Sequence, residues 1–202
     1  NVTSSSALVI GDRVYANTSN GVEWSHVEIP APQAPTLIVL DKQTGELIGE
    51  EASKIGTRLY HGNWSSPGAR EIDGNQIIVF GAGDGYCYGF DAEPVLDDGD
   101  SPVLTERWRF DCNPPDYKVK AGKNIKYATH DGPSEIIATP VFYEGRVYVA
   151  IGQDPEHGEG IGALGCIDAS QRGDISSSGL LWRYTGINRA ISTVSIAGGL
   201  VY

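Results

Sequence analysis

The stretch TPVFYEGRVYVAI, running from Thr139 to Ile151, decides the fold. One apolar segment runs into Glu144-Gly145 and a second leaves it, which is the pattern of a β-hairpin closed by a two-residue turn. ALGCID (163–168) and LLWRY (180–184) follow after polar, Gly-containing loops. Residues 138–143, 146–151, 163–168 and 180–184 are therefore predicted as one four-stranded antiparallel meander. The opening of this unit recurs as SALVIGDRVYA from Ser6, SPGAREIDGNQIIVF from Ser66 and TVSIAGGLVY from Thr193. The second copy predicts strands at 68–72, 76–81, 86–91 and 106–111. The first predicts 7–10, 13–17, 36–41 and, more weakly patterned, 46–49. The fourth holds two strands only. No segment keeps a helical period, and Gly and Pro interrupt the chain throughout.

Repeats of this size signal an array of similar supersecondary units. Four-stranded units in radial series make a β-propeller. The expected fold is all-β, a partial propeller of about three and a half four-stranded antiparallel blades. The blades fall at about 6–50, 64–112, 137–185 and, in part, 190–202 of a single unit 1–202. The spacing between repeats exceeds the roughly 40–45 residues of a bare four-stranded blade, so the excess sits in loops.

Composition agrees. The 202 residues include 26 Gly, 10 Tyr and no Met, a balance that suits short strands and tight turns. The missing Met, and an apolar segment cut at Tyr202, lead to the expectation of a fragment of a longer propeller. Its open edges would be paired by further blades or by a second copy. A net charge of −11 argues against a nucleic-acid partner, since phosphate binding needs a basic face. No apolar run is long enough for a membrane helix. Cys87, Cys112 and Cys166 form no CxxC or adjacent pair, and read as small buried side chains.

The third strand of each full repeat ends in Asp: Asp41 in LIVLDKQTGE, Asp91 in YGFDA and Asp168 in GCIDA. Trp108 in RWRFD and Trp182 in LWRYTG follow in the fourth strands of two repeats. This pattern resembles the tryptophan-docking repeat of pyrroloquinoline-quinone-like propellers. The resemblance implies that Trp108 and Trp182 wedge neighbouring blades together and that Asp41, Asp91 and Asp168 shape the turn before the fourth strand. Ile48-Gly49 stands where the first repeat would carry its Trp. The resemblance also implies an exported, periplasmic protein. These blades serve enzymes and non-enzymes alike, so it does not fix an activity.

In propeller geometry, the loops after second strands and those leading to the next blade open on one face. Here these are the long ones, residues 18–35, 50–63, 113–135 and 153–162, and rigid scaffolds bind through such loops. The candidate ligand-contacting residues are Trp24, His26, Asn63, Trp64, Asp84, His130, Glu135, His157 and Arg189. Some have a structural alternative: Trp24 and His26 as loop packing, Asp84 as part of a hairpin turn. Asp154, Glu156 and Glu159 crowd GQDPEHGEGIG, an oxygen density that suits Ca²⁺ or simply a solvated acidic loop. Lys118, Lys120, Lys123 and Lys126 form either a local positive patch or a solvated hairpin. With no nucleophile–base, phosphate-loop or zinc motif, the expected function is a non-catalytic scaffold binding a protein or small molecule on the long-loop face. The alternative implied by the resemblance is part of a quinoprotein dehydrogenase, with pyrroloquinoline quinone and Ca²⁺ as cofactors.

Overall fold

A computed structural model describes residues 5–72, 74–96, 99, 101–157 and 160–202. The chain forms a partial β-propeller. Its first sheet is the meander Leu8–Ile10, Arg13–Asn17, Leu37–Asp41 and Leu47–Glu51. The second is Gly68–Ile72, Asn75–Gly81, Tyr86–Asp91 and Glu106–Asp111. The third is Val141–Tyr143, Arg146–Ile151, Ala163–Asp168 and Leu180–Tyr184. A hairpin, Ile196–Ala197 with Leu200–Val201, opens the next unit.

Turn chemistry sets these hairpins locally. Glu144 and Gly145 both take positive φ, 49° and 76°, the primed turn whose twist matches the flanking strands. Gly74 takes φ 77°, while Asp73, read from sequence as its turn partner, lies outside the described residues. Gly145→Val should cost about 1–2 kcal/mol, because a β-branched residue is strained in the left-handed region. A thermal melt matching the parent chain would contradict this.

The strand Asn75–Gly81 explains how the sheets stack. Its run Ile77-Ile78-Val79-Phe80 is continuously apolar because both of its faces are buried. Ile77 and Val79 join the core shared with the third sheet, alongside Trp108, Val147, Val149 and Ile167. Ile78 and Phe80 join the core shared with the first sheet, alongside Tyr15, Leu37, Val39, Tyr88 and Phe90. The period-2 alternation of a strand thus divides one run between two cores.

The insertions at 93–105 and 170–179, expected as loops, contribute the short strands Val95–Leu96, Pro102–Leu104 and Gly173–Asp174. Pro102–Leu104 lies parallel to the outer strand of the first sheet, pairing Val103 with Glu50, and Val95–Leu96 pairs with it in turn. Gly173–Asp174 lies parallel to the outer strand of the second sheet, opposite Trp108 and Arg109. Each insertion reaches back and stitches its own blade to the preceding one. Parallel pairing across tens of residues leaves no local signature.

Trp108 is fully buried. Its indole lies on Gly89, where a Cβ would come within 2.4 Å of the ring. In the first sheet the equivalent register pair is Val39–Gly49, and Pro94 covers Gly49 in place of an indole. Trp182, expected to be buried in the same way, is instead 38% exposed. It stands opposite Cys166 in register and its ring lies beside Tyr148.

Two of the three Asp residues close local turns. Asp41 accepts the Gln43 and Thr44 N–H groups, and Asp168 accepts the Ser170 N–H and hydroxyl. Asp91 instead pairs with Arg107 at 3.1 Å. The three cysteines are buried free thiols. The lysine-rich segment includes the hairpin Val119–Lys120 with Lys123–Asn124. Lys118 pairs with Asp111 and Lys120 with Asp131, so part of its charge is already met. No helix among the described residues is long and apolar enough to cross a membrane.

Candidate functional site

Three long loops, one from each full sheet or its approach, converge on a single pocket of about 490 Å³. Its walls are Val22, Glu23, Trp24, His26, His61, Trp64, Asp154, Glu156 and His157, with no Lys or Arg among the described residues. The loop of residues 18–35 is fastened to the approach to the second sheet by a Gly21–Gly62 bridge and by the Val22 N–H donating to the His61 carbonyl at 2.7 Å. The Glu23 carboxylate then closes its own turn, accepting the Ser25, Val27 and Glu28 N–H groups and the Ser25 hydroxyl. These hydrogen bonds hold its carboxyl down to about 2. The turn presents His26 in the left-handed region at φ 59°, a conformation uncommon for a non-Gly residue.

His157 ends the short 3-10 turn Pro155–His157, which Asp154 caps by accepting the Glu156 N–H at 2.6 Å. Gln153 anchors this loop, its side-chain amide donating to the Thr129 and Pro133 carbonyls. The rings of His26 and His61 lie 4.5 Å apart between centroids, those of His26 and His157 4.7 Å, and those of His61 and His157 5.3 Å. One ring nitrogen from each of the three falls within 4.8 Å of the others. Trp64 backs His61 at 4.8 Å, and Tyr127 stacks on Tyr60 while its hydroxyl lies 3.4 Å from His157 Nδ1. The same hydroxyl donates to buried Glu135 at 3.0 Å.

Electrostatics favour the neutral ring at His61 and His157. Burial, then the neighbouring His26, pushes His61 down to about 4, and burial lowers His157 as well. Burial also raises Glu135 to about 8, despite its hydrogen bond from Tyr127. Neutral imidazoles keep nitrogen lone pairs available. His61 Nδ1 is buried with no hydrogen-bond partner.

Of the candidates read from sequence, Trp24, His26, Trp64, His157, Asp154 and Glu156 line this pocket, with Trp24 90% exposed at its rim. Glu135 stands behind it through Tyr127. The others go elsewhere. Asn63 is fully buried: its amide donates to the Asn20 backbone and side-chain oxygens, and its Oδ1 accepts the Gly83 N–H. It ties loops together and is not part of this pocket's lining. Asp84 is also fully enclosed, accepting Tyr88 Oη at 2.6 Å and the Tyr86 N–H, and facing Arg58 at 3.2 Å. His130 is exposed beside Asp131 and away from the cluster. Arg189 packs its stem near Gly152, with its N–H on the Gly160 carbonyl. Glu159 lies outside the described residues. His61 and Tyr127 carry no motif. The only local signal for His61 was its place beside Asn63 and Trp64.

A Ca²⁺-bound quinone needs hard oxygen donors. Asn63 and Asp84 are engaged internally and Asp154 caps its own turn, so the pocket offers three imidazole nitrogens and, from hard oxygen donors outside such turns, the Glu156 carboxylate. That set suits borderline transition ions and does not fit a Ca²⁺–quinone centre among the described residues.

The sequence matches no family model and no curated protein. Solved structures do resemble it. The quinohemoprotein alcohol dehydrogenase ADHIIG of Pseudomonas putida HK5 matches with a TM-score of 0.53 and 17% identity, over 91% of this chain and 20% of that one. The quinohemoprotein alcohol dehydrogenase of Comamonas testosteroni matches with a TM-score of 0.52 and 16% identity, over 91% of this chain and 21% of that one. The chain spans about a fifth of the length of each, and what it shares with them is the fold, a partial β-propeller of the quinoprotein type.

Proposed function

We propose that this chain is a ligand-binding sector of a propeller, a scaffold whose long-loop face receives a cationic ligand or a cationic group of a protein partner. The observation that carries this reading is the pocket itself. Indole and imidazole rings wall it, Glu23, Asp154 and Glu156 supply negative charge, and among the described residues no Lys or Arg lines it. Aromatic faces and carboxylates together attract cations. An exported, periplasmic setting belongs to the same reading, on the strength of the blade pattern.

Benzylamine, a small aromatic cation, tests it. Titration should move the indole N–H resonances of Trp24 and Trp64 in a saturable way and leave that of Trp108 in place. Trp64→Ala and Glu156→Gln should each weaken the effect by about tenfold, the loss of one cation–π or ion contact. Resonances that do not respond would remove the proposal. The second reading, a sector of a quinoprotein dehydrogenase, is favoured by the fold likeness. Adding quinone with Ca²⁺ separates the two: a bound chromophore with a thermal shift would favour the dehydrogenase.

A further inference from the structure

We propose that His26, His61 and His157 form a binding site for a divalent first-row transition ion of the Zn²⁺ class. The inference rests on the reading of the long-loop face as a binding face, and names one cation that face would hold.

The chain has four histidines, and three of them meet here from three separate loops. Random packing of loop residues gives no reason for that convergence. Their nearest ring nitrogens all lie within 4.8 Å of one another. Around a tetrahedral Zn²⁺ with bonds of about 2.0–2.1 Å, ligand nitrogens sit roughly 3.3 Å apart. Small side-chain rotations close that difference. His61 contributes a buried Nδ1 that no protein group satisfies, and buried polar atoms are seldom left so.

The surroundings supply what metal-bound imidazoles ordinarily have. His157 Nδ1 lies 3.4 Å from the Tyr127 hydroxyl. That hydroxyl gives its proton to Glu135, so its oxygen is free to accept from an Nδ1–H. The chain Glu135–Tyr127–His157 would hold the ring with Nε2 presented to an ion, the outer-shell support typical of metal-bound histidine. Asp154, 3.9 Å from the same nitrogen, and Glu156 and Glu23 in the pocket wall place negative charge beside the ion. Three imidazoles facing a pocket leave a fourth coordination position for water or a ligand atom, the open type of site.

The test uses the tag-free 202-residue chain, stripped with chelator. Zn²⁺ titrated against a chromophoric competitor should bind at one equivalent per chain. Co²⁺ in its place should give the visible absorption bands of a four-coordinate nitrogen site. His26→Ala, in an exposed loop where folding is not at stake, should weaken binding by at least about tenfold, and His61→Ala and His157→Ala likewise. Tyr127→Phe should weaken it less and shift the Co²⁺ bands. His130→Ala should change nothing. Absence of Zn²⁺ binding, or binding untouched by all three cluster substitutions, would overturn the proposal. Benzylamine separates the failures. If it still binds while Zn²⁺ does not, the binding face stands and the metal site falls. If neither binds, both fall.

Discussion

Trp108→Ala is expected to lower the stability of this chain by about 3–5 kcal/mol, the loss typical of a fully buried large aromatic. Trp108 is 0% exposed and sits in the apolar core joining the second and third sheets. Removing it leaves a void against Gly89 that neither rigid strand can fill. Gly89→Val should do comparable damage from the other side, because the space its side chain would take already holds the indole. Trp182→Ala is the contrasting case. With 38% of that residue exposed, its loss should cost about 1 kcal/mol or less. Urea melts of the three variants decide the matter. Equal losses for Trp108→Ala and Trp182→Ala would mean that the two indoles play the same part and that the observed asymmetry in burial is without consequence.

Asp84→Ala should cost about 2–4 kcal/mol, through the groups it leaves behind. The buried Tyr88 hydroxyl would lose its acceptor, whereas Arg58, with 41% of its side chain exposed, can turn to water. Asp84→Asn gives the pH signature. Burial pushes the Asp84 carboxyl up to about 6 from 3.8, outweighing the pull of Tyr88, Tyr86 and Arg58 toward the ionised form. Between those two values the folded chain holds a proton that the unfolded chain has released. Stability from this group is therefore fully present below 3.8, falls as pH rises through that window, and is level above about 6. The Asn variant lacks the titration. Its stability relative to the parent should thus improve by roughly 2–3 kcal/mol between about pH 4 and about pH 7.5. A difference that stays constant across that range, or grows the other way, would show that burial does not dominate at this carboxylate.

The sequence by itself determined the strands and the turns between them. The meander strands lie within one to three residues of the expected bounds, since apolar alternation and positive-φ Gly positions act over a few neighbouring residues. The Gly145 turn and the Asp41 and Asp168 turns needed nothing from afar. The tertiary structure decided everything that depends on which distant residues meet. It turned the insertions before Trp108 and Trp182 into parallel edge strands. It drew Asn63 and Asp84 inward, because a short polar side chain in a loop has no pattern to say whether it faces its own backbone or the solvent. It also brought His61 and Tyr127 to His26 and His157. No spacing in the sequence links these imidazoles, and only the stacking of successive sheets carries their loops to a common point.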